Sequence, residues 1–116
     1  MTEIRYTIKD EIVRVSIVGH ALYNPGNDPV CAAVSCVTFQ LLRILEDLHD
    51  DDMITDFYYD VNDGSCIVQF ELVPEEEEDW NTIWYVIDRG YRNVAEAYPD
   101  NVRLVGVIPS RTHVQS

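Results

Sequence analysis

The chain of 116 residues is strongly acidic: 21 Asp and Glu against 8 Lys and Arg give a net charge of −13 at pH 7. Its length fits one domain, and its 47% apolar residues are enough to form a buried core. The negative charge repels phosphate backbones and attracts basic partners, so direct binding of nucleic acid is not expected. No run of about 18 apolar residues is present to span a membrane.

The first ten residues, MTEIRYTIKD, include acidic and polar side chains where a secretory signal would need an apolar run. We therefore expect a cytoplasmic protein. The three cysteines, Cys31, Cys36 and Cys66, are an odd number without a CxxC pair. Neither a disulfide framework nor a zinc site is expected from them, and no metal or cofactor is implied.

The first elements predicted along the chain are two strands. In EIRYTIK, Ile4, Tyr6 and Ile8 alternate with polar residues, and IVRVSIV alternates in the same way after a turn at KDE. Alternation with a period of two is typical of strands with one buried face. The sequence therefore predicts a β-hairpin at the start of the chain.

A long helix is predicted next, from near Pro29 to about Leu48. Asp28 suits the N-cap and Pro29 the first helical position. The apolar stripe of this helix is wider than a half-exposed helix needs, and Cys36 is assigned to the core beside it. We therefore expect the helix to be buried between layers of the domain, or to lie partly in the contact of a symmetric dimer. The residues that would form that contact are Leu41, Leu42, Ile44 and Leu45.

The second half of the chain repeats the pattern of two strands and a helix. MITDFYYDV and SCIVQFELV flank a tight turn at Asp63-Gly64, and Cys66 shares the apolar face of the second strand. Aromatic and aliphatic residues at helical spacing follow from Trp80 to Tyr98, and Pro99 ends that helix. NVRLVGVI is the last strand. The order ββαββαβ predicts an α+β domain over residues 1–108, with a mostly antiparallel sheet, two packed helices and a flexible tail at 109–116.

The segment VGHALYNPGNDPVCAAVSCV, residues 18–37, carries the candidate chemistry. Cys31 falls in the first helical turn, where the positive end of the helix dipole favours a thiolate. His20 ends a predicted strand eleven positions earlier, so a loop can bring imidazole and thiol together. From these residues alone, Cys–His catalysis competes with a packed Cys and a hydrogen-bonded surface His.

The motif GHA at 19–21, the glycine-containing loop after it and the pattern D-x-VCAAVS at 28–35 resemble the ribosomal-processing cysteine protease family, called Prp. The preceding strand pair, the long helix and the aromatic second helix ending in YP are similar to that family as well. The resemblance covers most of the chain. It implies a Cys–His protease, usually a homodimer, that removes a short N-terminal extension from large ribosomal subunit protein twenty-seven.

Carried over by position, the resemblance makes Cys31 the nucleophile and His20 the general base, with Gly19, Asp28 and Ser35 in supporting positions. Asp28 either orients the imidazole or caps the helix, and Ser35 bonds either near the site or to the helix backbone. N–H groups at the helix start are expected to hold the oxyanion, and the segment after His20 is expected to close as a lid.

Two departures from the family pattern leave the substrate open. Pro29 stands where the family more often has a branched aliphatic residue, and the loop before Cys31 is about one residue shorter. A hypothesis of a different class remains beside the protease: an acidic, dimeric binding module or chaperone for a basic protein. Mass analysis of candidate peptides after incubation with the protein separates the two hypotheses.

Overall fold

A computed structural model describes residues 1–106, and the predicted end of the last strand and the tail at 109–116 lie outside them. A short 3₁₀ turn, Pro74–Glu76, precedes the second helix. The order ββαββαβ is confirmed with these elements: β1 (Thr2–Lys9), β2 (Ile12–Val18), α1 (Pro29–Asp50), β3 (Ile54–Asn62), β4 (Ser65–Leu72), α2 (Glu77–Ala97) and β5 (Val102–Gly106).

The five strands form one sheet in the order β3-β4-β2-β1-β5. Neighbouring strands are antiparallel except β1 and β5, which pair in parallel from Thr2 opposite Val102 to Tyr6 opposite Gly106. An ion pair between Glu3 and Arg103 links the same two strands. The predicted mostly antiparallel sheet is therefore confirmed, with one parallel strand at its edge.

The core lies between one face of the sheet and the two helices. Alternate residues of the strands point into it, as Val13 and Val15 of β2 and Val68 of β4 show by being fully buried. On the β1 side, Tyr6 stacks on Trp84 of α2 with 4.3 Å between ring centroids, and its hydroxyl accepts a hydrogen bond from Trp80 Nε1 at 2.9 Å. Burial raises the pKa of Tyr6 far above its ordinary value, so the hydroxyl stays neutral.

Most of the broad apolar stripe of α1 is covered within the chain, so it is buried between layers and is not the exposed patch that a subunit contact would need. Ile44 is partly buried against the core. Leu41 and Leu45 are fully buried and Leu42 is 6% exposed. The stripe is wide because α1 contacts both the sheet and α2, where Gly90 faces Val37. By length and composition alone this helix is apolar enough to cross a membrane, a property shared with the core helices of folded domains.

The same geometry explains a correction, which concerns Cys36. This residue was assigned to the core, but it is exposed. It lies two positions after the buried Val34, which places it about 200° around the helix and therefore on the solvent side. Cys66 is buried, as its place in the alternation of β4 predicts.

Candidate active site

A cleft of about 280 Å³ opens between the first turns of α1 and the adjoining ends of β2, β3 and β4. Four of the five site residues expected from the sequence line it: Gly19, His20, Cys31 and Ser35. The fifth, Asp28, lies outside the lining. The cleft therefore brings together a thiol and an imidazole that are eleven positions apart in the chain.

Cys31 lies in the first turn of α1 and is partly buried. Its Sγ atom accepts a hydrogen bond from the backbone N–H of Ala21 at 3.3 Å. Ala21 directly follows His20, so this bond joins the start of the helix to the end of the strand region that carries the imidazole. The Cys31 N–H also donates to Asp28, which caps the helix, so hydrogen bonds fix the backbone both at Ala21 and at Cys31.

The backbone at His20 is fixed by its neighbours. Gly19 adopts φ +100°, and a Cβ atom there would stand 2.3 Å from the carbonyl oxygen of Met1, so only glycine fits. The Gly19 N–H donates to the carbonyl of Gly64 at 2.8 Å, and the Met1 amine donates to the carbonyl of His20 at 2.7 Å. Gly19 therefore permits the close approach of two segments of the chain.

The imidazole of His20 rests against the turn between β3 and β4. Its Nε2 atom is 3.7 Å from Oδ1 of Asp63, and a Cβ atom on Gly64 would stand 2.8 Å from the same nitrogen. Within residues 1–106, no hydrogen bond joins the imidazole to the Cys31 thiol. Catalytic hydrogen bonds are often long before substrate binds, so this arrangement is compatible with a Cys–His pair.

Asp28 caps α1, and its carboxylate is occupied by backbone groups. Oδ1 accepts from the N–H groups of Val30 and Cys31 at 2.9 and 3.2 Å, and Oδ2 accepts from Tyr23 and Asn24 at 2.9 and 3.1 Å. Desolvation raises the pKa of this carboxyl, but the four N–H bonds lower it by more, so it lies below its ordinary value. Two roles were considered for Asp28, orienting the imidazole and capping the helix, and its hydrogen bonds in the structure are those of a helix cap.

The cap changes the expected source of oxyanion stabilisation. The N–H groups of Val30 and Cys31 donate to the Asp28 side chain, and that of Ala32 donates to the Asp28 carbonyl at 3.1 Å. The helix-start donors are therefore already engaged. Ser35 lines the cleft one turn after Cys31, and its hydroxyl forms no hydrogen bond within the described part of the chain.

Sequence reasoning missed several residues that shape the site. Asp63 and Gly64 reach it because β2 pairs with β4, which places Val18 opposite Ser65. The loop after His20 is held from the far end of the chain, where Asn101 Nδ2 donates to the Ala21 carbonyl at 2.9 Å. The Asp63-Gly64 turn was predicted from the sequence, but the pairing of β4 with β2, which brings this turn to the cleft, was not.

Among residues 1–106, no cluster of three or more His, Cys, Asp or Glu is arranged to hold a metal.

Comparisons with known proteins agree with this architecture. A family model described as cysteine protease Prp matches residues 1–103. The ribosomal processing protease Prp from S. aureus, with a covalently linked product peptide, has a TM-score of 0.67 at 25% identity, covering 92% of this chain and 100% of that one. The structure of the same S. aureus protease in complex with a substrate peptide has a TM-score of 0.62 at 25% identity, with the same coverage of both chains. SMU.848 from Streptococcus mutans gives 0.63 at 27% identity, covering 92% and 96%.

No curated protein sequence matches the chain. The fold and the family match define a cysteine protease, an enzyme that hydrolyses peptide bonds through a thiolate nucleophile. Within that class, the chain belongs to the Prp family, whose model spans nearly its whole length. The resemblance expected from GHA and D-x-VCAAVS is confirmed.

Proposed function

We propose that Cys31 is the nucleophile and His20 the general base of a peptidase that removes a short N-terminal segment from a ribosomal protein. The observation that carries this assignment is the cleft that both side chains line, with the sulfur held by the N–H of the residue next to His20. Cys36 is exposed on the opposite side of α1 and Cys66 is buried, so Cys31 is the thiol best placed to meet a peptide.

The chemistry follows from these groups. His20 takes the proton of Cys31, and the thiolate attacks the peptide carbonyl to form a C–S bond. The oxyanion draws on the Ser35 hydroxyl and on the Ala21 N–H, which is released from the sulfur when the C–S bond forms. The imidazolium protonates the amine as the C–N bond breaks, and water then hydrolyses the thioester. The loop after His20 closes over the bound peptide.

A basic ribosomal protein suits this enzyme. The S. aureus relative is described as a ribosomal processing protease and was solved with a substrate peptide. The net charge of −13 attracts a basic protein and speeds the encounter between the two. Large ribosomal subunit protein twenty-seven is the candidate that the family resemblance supplies.

A homodimer in the cytoplasm completes the proposal. The family resemblance supports the dimer, and the buried stripe of α1 does not. Exposed apolar side chains are found instead on the edge strand β3, where Tyr58, Tyr59 and Val61 are about half exposed. Sedimentation velocity at micromolar concentration tests the dimer, and a monomer there would refute it.

The test of function is incubation with the extended ribosomal protein from the same cell, followed by mass analysis. We expect one cut near the N-terminus of the substrate. Cys31→Ala and His20→Ala should each lower the rate by about 10³-fold or more, because each removes a group that the chemical step needs. Cys36→Ala is the matched control on the same helix and should cut like the parent.

Two outcomes would overturn the proposal. Cutting by Cys31→Ala at the parent's rate would show that another group is the nucleophile. Tight binding of the ribosomal protein without any cut by the parent would favour the acidic binding module. The two are distinguished by the same mass analysis together with a pull-down of the uncut protein.

A further inference from the structure

The imidazole of His20 has a carboxylate beside it that is not the one singled out in the sequence. Oδ1 of Asp63 lies 3.7 Å from Nε2, whereas Asp28 is fully engaged by backbone N–H groups. We propose that Asp63 is a positioning residue for His20: its negative charge beside Nε2 favours the proton on that nitrogen and leaves Nδ1 to exchange a proton with Cys31. This inference rests on the proposed role of His20 as general base.

The placement of Asp63 is fixed by the sheet. β2 and β4 pair with Val18 opposite Ser65, and the Gly19 N–H donates to the Gly64 carbonyl at 2.8 Å. The chain just before His20 is therefore bound directly to the turn that carries Asp63. Gly64 adopts φ +73° and has no side chain, which lets the imidazole lie on the turn. Two rigid elements thus set the distance between carboxylate and ring.

The chemical effect is the choice of tautomer and the stabilisation of the cation. A neutral imidazole carries its proton on one nitrogen, and a carboxylate next to Nε2 favours the proton there. When His20 accepts a second proton from Cys31, the negative charge of Asp63 stabilises the imidazolium. Two further titratable groups near His20 in residues 1–106 are the Cys31 thiol on α1, which lines the same cleft, and the Met1 amine, which donates to the His20 carbonyl.

The expected effect is modest because the Asp63 side chain is 96% exposed and water screens the pair. We therefore expect Asp63→Asn to lower kcat/KM about two- to fivefold, which is the range that an exposed ion pair supports.

The experiment compares the parent with Asp63→Asn, Asp63→Glu and Asp10→Asn in kcat/KM across pH, at low and high salt. Asp10→Asn is the matched control: it removes one carboxylate from the β1–β2 turn, roughly 20 Å away at the other end of β2. It should leave the profile unchanged. Asp63→Glu keeps the charge and should recover most of the parent's kcat/KM. High salt should shrink the difference between parent and Asp63→Asn.

A second measurement needs no substrate. The rate of iodoacetamide alkylation at Cys31, mapped by mass spectrometry, should fall two- to fivefold at pH 6–7 in Asp63→Asn, with exposed Cys36 as internal reference. Equal profiles for Asp63→Asn and Asp10→Asn in both measurements would overturn the assignment of Asp63. Failure of the proposed function is separate, because it would show as a parent that cuts nothing and a Cys31 alkylation rate unaffected by His20→Ala.

Discussion

Cys31, Cys36 and Cys66 occupy three different environments in one small domain. Cys31 is partly buried in the cleft, Cys36 is exposed on α1, and Cys66 is buried on β4. Burial raises the pKa of the Cys66 thiol, and the charge of Asp60 raises it further. Because thiolates and not thiols react with alkylating agents, burial and charge together protect Cys66 although it borders the same cleft as Cys31.

These environments predict the order of thiol labelling. In native protein at neutral pH, iodoacetamide should modify Cys31 and Cys36, and Cys66 only after unfolding. His20→Ala should slow the labelling of Cys31 several-fold and leave that of Cys36 unchanged, because only Cys31 shares a cleft with the imidazole. Peptide mapping over time measures all three rates. Native labelling of Cys66 as fast as Cys36 would contradict the protection inferred from its burial.

At the scale of elements, the loop of residues 21–28 and the start of α1 behave as one unit. Asp28 binds the helix start through one oxygen and the loop through the other, and Tyr23 packs edge-on against Tyr98 with ring centroids 5.0 Å apart. The loop that would close over a peptide is therefore anchored at both ends. One carboxylate, that of Asp28, therefore couples the loop to the start of α1.

Asp28 variants test this coupling. Asp28→Asn retains an oxygen for the helix cap but cannot accept the N–H bonds on its other side, and Asp28→Ala loses both. We expect melting temperature and kcat/KM to fall in the order parent, Asn, Ala, with kcat/KM lower by about two- to tenfold in the Ala variant. Thermal unfolding and peptide cleavage give the two readouts. Equal values for all three proteins would show that the loop is held without Asp28.

The pH dependence of this unit has a defined sign. Because the pKa of Asp28 is lower in the folded protein, its stabilising effect is fully present above the ordinary carboxyl range and is lost as pH falls through the depressed value. Between pH 5 and 8 the cap is therefore constant. Changes in rate across that interval belong to groups in the cleft.

Local patterns in the sequence predicted the elements well. Alternation specified both hairpins, and Asp28 and Pro29 marked the start of α1, because these signals depend on residues a few positions apart. The position of Asp63 beside His20 could not be predicted, since it requires the pairing of β2 with β4 across a long stretch of chain. For the α1 stripe, the sequence left burial between layers and a subunit contact as alternatives, because a sequence does not say that one helix contacts both a sheet and another helix.

At the scale of the whole molecule, charge should govern the encounter with substrate. The excess of 21 acidic over 8 basic residues gives a negative surface that attracts a basic peptide over distances set by the Debye length, about 8 Å at physiological ionic strength and 3 Å at 1 M. The attraction acts before contact and therefore on the association step.

We expect kcat/KM for a basic substrate to fall about five- to tenfold between 0.05 and 0.5 M NaCl. A peptide with the same cleavage site but no net charge is the control, and its kcat/KM should change little. Steady-state cleavage of both peptides over a salt series makes the measurement. If kcat/KM stays constant over the salt series for both peptides, the acidic surface has a role in solubility only.

The parallel pairing of β1 with β5 also sets the order of events during folding. Thr2 lies beside Val102, and Asn101 reaches back to bind Ala21, so contacts of the cleft loop join residues eighty positions apart. Pairings between residues so far apart in the sequence form late, because the entropy cost of closing a long loop precedes the stabilisation that the contacts provide. A ribosome-bound chain that has not yet emerged past residue 101 therefore lacks the hydrogen bond from Asn101 to the Ala21 carbonyl. Proteolytic competence is expected to appear only after residue 101 has emerged and β5 has joined the assembled sheet.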